Sequence, residues 1–242
     1  MEFTIELARK KIHVTCVHDY VRRFCRHYIC EGTPDFCVTS TQDDIEYERR
    51  KSAEEDILEG KPVCVFSERY LETLAVYRKI AEKMAEYDTL LFHGSTIAVD
   101  DEAFLFTATS GTGKSTHTRL WREAFGERAE MINDDKPLLI LQDGQVWVCG
   151  TPWDGKHRLS TNKIVPLTGI CVLERGETNS ITPICPQEAL PMLLQQGYRP
   201  KNLMKFLELV EKLTTSVKFY RLKCNMDPEA AMVAYRGMTQ KG

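Results

Sequence analysis

The sequence predicts a mixed α/β fold, with a mixed sheet flanked by helices. Three observations point there. Short β-rich runs alternate with helical stripes along all 242 residues. No segment of roughly 20–50 residues repeats, which excludes solenoids and propellers. A glycine loop stands between an apolar strand and an amphipathic helix, the order a strand–loop–helix phosphate site requires. Hydrophobic residues at 43% and charged residues at 28% give the ordinary balance of a globular chain. Thirty-two Lys and Arg against thirty-five Asp and Glu leave a net charge of −3, which argues against coating nucleic acid or a membrane. The start, MEFTIELARKK, lacks the apolar core of a leader, and no apolar run approaches the ~18–20 residues of a membrane helix. Nine cysteines without a secretion signal read as reduced thiols. A cytoplasmic protein with neither a nucleic-acid nor a membrane partner is therefore expected.

FTIEL (Phe3 to Leu7) and IHVTC (Ile12 to Cys16) are β-rich and joined by the polar step Ala8–Lys11, the pattern of a hairpin. Val17, Val21, Phe24, Cys25 and Tyr28 fall on one helical stripe, and FCVTS (Phe36 to Ser40) is a third short strand. Thr41 to Glu59 reads as a solvated helix, with Asp43 and Asp44 where a helix N-terminus favours carboxylates. After Lys61-Pro62, VCVF (Val63 to Phe66) reads as a strand and Ser67 as the N-cap of a helix with an apolar stripe from Leu71 to Met84. The stretch from Thr89 to Phe125 reads strand, tight connection, strand, glycine loop, helix. MINDD with KPLLILQ and then QVWVCG follow as β-rich runs, with Asp143-Gly144 as a hairpin turn. Gly169 to Leu173 and Val217 to Leu222 are strand-like, while Gln187 to Gln196, Asn202 to Leu213 and Pro228 to Arg236 are helical. A boundary near Tyr87-Asp88 divides residues 1–88, an N-terminal α/β lobe, from a core over 89–242.

The strongest signal is Ala108-Thr109-Ser110-Gly111-Thr112-Gly113-Lys114-Ser115-Thr116. It matches the phosphate-loop pattern except that Ala108 stands where the first glycine is usual. Glycines let the backbone turn its N–H groups inward, and the helix behind adds its positive end to the same cavity. Ser110 to Thr116 are therefore the expected nucleotide-binding residues, with Lys114 reaching the β- and γ-phosphates and the Ser115 hydroxyl placed for Mg²⁺. AFLFTA (Ala103 to Ala108) before the loop and Leu120, Trp121, Ala124 and Phe125 after it supply the strand and helix.

Two adjacent carboxylates, Asp134-Asp135, follow that helix. At a strand end they point to different sides of the backbone, so one can hold Mg²⁺ while the other accepts the proton of an incoming hydroxyl. Asp135 is assigned to the metal and Asp134 to the base, with the reverse order still open at this point; the plain alternative is a surface turn ahead of Pro137. His93, at the end of an apolar strand, is a third candidate, because its strand and the loop strand are expected to be neighbours whose ends meet. Its plain alternative is a histidine that caps a strand end.

LFHGSTIAVDDEAFLFTATSGTGKSTHT with INDDK resembles the nucleotide site shared by HPr kinase/phosphorylase and ATP-dependent phosphoenolpyruvate carboxykinase. The resemblance spans roughly Leu90 to Leu141 and, more loosely, runs to Leu173. It implies a P-loop kinase core, with Lys114 binding phosphate, Ser115 binding Mg²⁺, the paired aspartates holding metal and activating the acceptor, and His93 near phosphate or metal. Carboxykinase chemistry is not expected, since no counterpart of its substrate-binding residues lies upstream of the loop.

Gly150-Thr151-Pro152-Trp153-Asp154-Gly155-Lys156-His157-Arg158 forms a second constellation, in which Lys156 or Arg158 can meet phosphate or acceptor. The plain alternative is an exposed loop whose Trp packs on the core. Gln195 to Pro200 is a further polar loop that can line the acceptor side. His13, Cys16, His18, Cys25, His27, Cys30 and Cys37 crowd together, but no C-x-x-C pair occurs and Cys25 falls on an apolar stripe, so zinc is set aside. The sequence thus predicts a kinase that uses ATP or GTP with Mg²⁺ to phosphorylate a hydroxyl on a protein or peptide serine or on a small polyol or sugar. The rival expectation is a nucleotide-binding regulatory or scaffold protein without transfer activity. Oligomeric state, acceptor and the choice of nucleotide are not readable from the chain.

Overall fold

Two units divide the chain of this computed structural model, Met1–Met84 and Ala85–Gly242, and residues 1–58, 60–109 and 111–240 are described. In the first unit, strands β1 (Glu2–Leu7) and β2 (Lys10–Thr15) form the expected antiparallel hairpin. Its two turn residues, Ala8 and Arg9, both take positive φ, the backbone of a tight hairpin turn whose twist suits paired strands. Alternate residues Phe3, Ile5 and Leu7 of β1 are buried. Helix α1 (Asp19–Phe24) runs into a 3-10 turn at Arg26–Tyr28, and Val21, Cys25 and Tyr28 are its buried stripe. Val17 of the expected stripe lies ahead of the helix and is exposed. Strand β3 (Phe36–Thr39) pairs parallel to β2, giving a three-stranded sheet ordered β1-β2-β3.

Helix α2 (Gln42–Leu58) buries only Ile45 and Glu48, as its charge foretold. It packs on α3 (Glu68–Met84), where Arg78 meets Glu48 at 2.5 Å and Asp44 at 3.3 Å. That helix begins directly after Ser67 and buries Leu71, Ala75, Tyr77, Ile80, Ala81 and Met84. VCVF does not form a strand: residues 61–67 carry no regular structure, and Val65 is 97% exposed. β propensity expresses itself only where a neighbouring strand supplies partners, and none pairs here among the described residues.

The second unit holds a nine-stranded mixed sheet. The stretch expected to give two strands before the loop gives three: β4 (Thr89–Leu91), β5 (Ser95–Val99) and β6 (Glu102–Thr107). Asp100 and Asp101, both at positive φ, turn β5 into β6. Helix α4 (Lys114–Phe125) follows the glycine loop. Then come β7 (Ala129–Asn133), β8 (Leu138–Gln142) and β9 (Gln145–Cys149), the last two joined through Asp143 and Gly144 at positive φ. Strand β10 (Ile164–Arg175) is longer than the run foreseen. Its first residues pair antiparallel with β9; beyond an irregularity between Leu167 and Gly169 it runs parallel to β6 and β12.

The remaining elements are β11 (Ser180–Ile184), α5 (Pro186–Gln196), α6 (Leu203–Ser216), β12 (Lys218–Cys224) and α7 (Glu229–Thr239). Strand β11, unforeseen in the sequence, pairs antiparallel with β12. The central strands of the sheet are buried on both faces. Ala103 and Leu105 of β6 join the core under α5 and α6, whereas Phe104 and Phe106 join the one holding Trp121 of α4 and Ala234 of α7. The parallel pairing of β6, β10 and β12 brings their ends together beside the glycine loop, where α/β sheets bind ligands.

Candidate active site

The loop between β6 and α4 has the backbone its glycines allow. Gly111 and Gly113 sit at φ +78° and +121°, a region that disfavours side chains, and α4 then starts at Lys114, with Gly113 as its N-cap. Thr109 and Thr112 hydroxyls meet at 2.9 Å across the loop. Ser110 lies outside the described residues. Lys114 is half-buried, and its Nζ donates to Ala108 O at 3.3 Å. Burial pushes its pKa down, while the charges of Asp135 and Asp134 act to raise it. Ser115 and Thr116 occupy the first turn of α4, Ser115 exposed.

The aspartates follow β7, and Asn133 shapes their turn. Its Oδ1 accepts from the N–H groups of Asp135 (2.9 Å) and Lys136 (2.7 Å), and its Nδ2 donates to Thr151 O and Oγ1. The plain reading as a turn was thus correct about the backbone, but the turn serves to part the two side chains. Asp134 is buried and accepts from Ser95 Oγ, which in turn lies 3.4 Å from Thr118 Oγ1 on α4. Asp135 is one-third exposed, and its Oδ1 lies 3.3 Å from His93 Nε2. Burial acts to raise the Asp135 pKa, but the His93 hydrogen bond and the charges of Lys136, His93 and Lys114 outweigh it and hold the group below the usual carboxylate range.

His93 reaches this place by a route other than the one expected. Strand β4 pairs with β8 and β6 pairs with β5 and β10, so the two strands are not neighbours. Instead the link after β4 is pinned by its backbone. His93 N–H donates to Gln196 O (2.9 Å), Gly94 N–H to Asp135 O (3.0 Å), and Thr107 Oγ1, at the end of β6, donates to His93 O (3.1 Å). The polar segment near Gln196 therefore backs His93 through a backbone contact.

The second constellation folds over the aspartates. Gly150 approaches so closely that a Cβ there would stand 1.8 Å from Thr161 O, and Gly155 turns at φ +75° with Asp135 Cβ 3.4 Å from its own notional Cβ. Trp153 is buried, as the plain reading had it, and so is Asp154, whose Oδ2 accepts from Ser160 N–H and Oγ. Lys156 and Arg158 are exposed. Arg158 bends back on its own loop, 3.6 Å from Asp154 Oδ1 and 3.5 Å from Pro152 O.

A cavity of about 520 Å³ opens on the α4 side of the loop, within the size range of small-molecule sites. Gly111 to Gly113, Thr116, His117 and Leu120 form one wall, the ends of β10 and β12 the other. Arg175, not singled out in the sequence, donates to Gly111 O at 2.7 Å across its rim. Among the described residues no three His, Cys, Asp or Glu side chains form a ready-made metal cage. A magnesium ion brought with phosphates asks less, one or two carboxylates and a hydroxyl with water completing the shell, and Asp134, Asp135 and Ser115 are donors of that kind. No described helix is long and apolar enough to cross a membrane.

No family model matches this chain, and no curated protein sequence matches it. Among solved structures it is similar to the HPr(Ser) kinase/phosphatase from Coxiella burnetii, with 12% identity, a TM-score of 0.34, and coverage of 60% of this chain and 95% of that one, a weak likeness at the level of the fold.

Proposed function

We propose that the second unit is a nucleoside-triphosphate-dependent phosphotransferase that moves the γ-phosphate to a hydroxyl. One observation carries this. A half-buried Lys114 at the start of α4 lies within electrostatic range of a buried and a half-open carboxylate, and a histidine is fastened beside the second. Phosphoryl transfer asks the protein mainly to place charge around the moving group and to orient the nucleophile. Loop N–H groups and Lys114 hold the phosphates, low local dielectric strengthens that hold, and Ser115 with one aspartate would hold Mg²⁺, which when bound neutralises charge on the phosphate oxygens.

Of the two orders left open for the aspartates, burial supports the one opposite to our first assignment. Asp134 is closed in and tied through Ser95 to α4, the metal side. Asp135 is open to an incoming group and paired with His93, so this pair receives the proton and orients the hydroxyl. The acceptor remains a serine peptide or a small polyol.

Replacing Lys114 by Ala removes a charge-assisted contact of about 1.5–3 kcal/mol. Calorimetry with Mg-ATP should show affinity reduced at least tenfold, and transfer from labelled ATP to a panel of polyols and serine peptides should vanish. Unchanged affinity refutes the loop assignment. Tight binding by the parent without transfer to any acceptor leaves the inactive binding protein instead.

A further inference from the structure

Strand β5 lies between the strand that leads into the glycine loop and the strand that leads into the aspartates, in the order β6-β5-β7. Its first residue, Ser95, pairs with Phe106 of β6 and is fully buried. On its other side the register slips. Ile97 pairs with Met131 but Thr96 with Asn133, so β7 carries one extra residue, Ile132, just ahead of the aspartates. Continued by one residue, the shifted register sets Ser95 opposite Asp134, whereas without the slip Ser95 would face Asn133. Side chains directly opposed across antiparallel strands share a face, and Ser95 Oγ accordingly meets Asp134 Oδ1.

The direction of that bond follows from the available hydrogens. A carboxylate that binds metal is ionised and only accepts, so Ser95, with its one O–H, donates. Ser95 Oγ then offers lone pairs alone to Thr118 Oγ1, which lies 3.4 Å away in α4 and is itself buried. Thr118 Oγ1 also stands 3.4 Å from Lys114 O and 3.3 Å from Ser115 O, the carbonyls of the two residues read as phosphate and metal contacts. Among the described residues Ser95 is the sole donor to the Asp134 carboxylate, and it takes only Oδ1. A hydrogen bond of this kind behind a metal-binding side chain fixes its orientation.

We propose that Ser95 is a positioning residue for the metal carboxylate: backed by Thr118, it fixes Asp134 through Oδ1 and leaves Oδ2 for the Mg²⁺ that accompanies the nucleotide. This assignment rests on the phosphotransferase reading and, within it, on Asp134 as the metal ligand. It adds a link from the first turn of α4, through two buried hydroxyls, to the carboxylate. The helix end that holds phosphate thereby also sets where the metal sits.

Calorimetric titration of ATP, once with Mg²⁺ and once with EDTA, separates this role from the reading beneath it. The ratio of the two affinities is the gain the metal supplies. The parent should show a gain of about tenfold or more, and Asp134→Asn should lose it. Ser95→Ala should cut the gain by about tenfold, the lower end of what a partner behind a metal ligand is worth, with its affinity in EDTA at the parental value. Thr118→Val keeps the shape of its side chain and should lose less, in the same direction; it carries the test where Ser95→Ala does not fold. A parental gain in Ser95→Ala, or in Thr118→Val in that case, overturns the role of Ser95 and leaves the phosphotransferase reading standing. An equal loss with and without metal overturns it too, since a merely structural bond would act on both. If the parent shows no gain, or Asp134→Asn keeps it, the metal lies elsewhere and the role of Ser95 falls while nucleotide binding remains. If the parent binds ATP in neither condition, both readings fall together.

Discussion

Glu72 in the first unit and the Asp134-Asp135 pair in the second are carboxylates set in the interior to opposite ends. Glu72 is 0% exposed, and both its oxygens accept twice. Oε1 takes Val17 N–H and Ser40 Oγ, each at 2.6 Å, and Oε2 takes His18 N–H and Nδ1, each at 2.8 Å. Burial acts to raise its pKa, but the Ser40, Val17 and His18 hydrogen bonds prevail and lower it. The charge is thereby consumed in tying the ends of β2 and β3 to α3. At the aspartate pair the protein supplies one hydroxyl and one imidazole, and the half-buried Lys114 feels the charge of both aspartates. A buried charge whose bonds are all internal holds a fold together. One whose bonds are partly withheld, beside a cation and an opening, is poised for a ligand.

Mutating the two sites should separate those roles. The largest effect is expected from Asp135→Asn, which should cut transfer from labelled ATP by about 10²–10⁴-fold, the usual worth of a positioned base, with a small change in thermal midpoint. Asp134→Asn should instead raise the Mg²⁺ concentration needed for half-maximal rate. Exchanged phenotypes would restore our first assignment, and two silent variants would reduce the pair to a turn.

Glu72→Leu should show the opposite pattern, leaving up to four donors without an acceptor. We expect a loss of about 3 kcal/mol or more, read as faster amide exchange across β2, β3 and α3, while nucleotide affinity of the folded protein stays at the parental value. A variant as well protected as the parent would show that the bonds around Glu72 contribute little.

Acid should sharpen the comparison further. His117 has its pKa depressed from 6.5 to about 4, so between these values the unfolded chain binds a proton that the folded one does not. Its contribution is present in full above pH 6.5 and is lost as pH falls through the window toward 4, about 3 kcal/mol in all. Glu72, a carboxylate with a lowered pKa, loses its contribution only below its unfolded value of 4.5 and on through its folded one. All three tryptophans, Trp121, Trp147 and Trp153, belong to the second unit. Urea titrations followed by tryptophan fluorescence should therefore weaken between pH 6.5 and 4.5, where amide protection around Glu72 holds. His117→Phe should flatten that slope, and a slope left unchanged would remove His117 as its source.

Local chemistry written along the chain determined much of this molecule. Alternation in FTIEL, the Asp143-Gly144 turn and the apolar stripe from Leu71 to Met84 each specify an element through contacts a few residues apart. The strand, glycine loop and helix from Ala103 to Phe125 were legible for the same reason, as was the pairing of Asp134 with Asp135. What the tertiary structure alone decided involves partners far apart in sequence. VCVF has the composition of a strand and lacks a neighbour to pair with, whereas Ser180–Ile184 becomes one because β12 lies beside it. His93 meets the aspartates through backbone bonds to Gln196 and Thr107, not through the strand pairing its position suggested. Arg158, cationic and in a loop beside the site, pairs with Asp154 of that same loop. At His117 the fold alone sets the chemistry, since Trp121 takes one of its nitrogens and burial takes its charge. Periodicity reports which face of an element is apolar, but pairing, tautomer and proton affinity depend on the field of neighbours that only folding assembles.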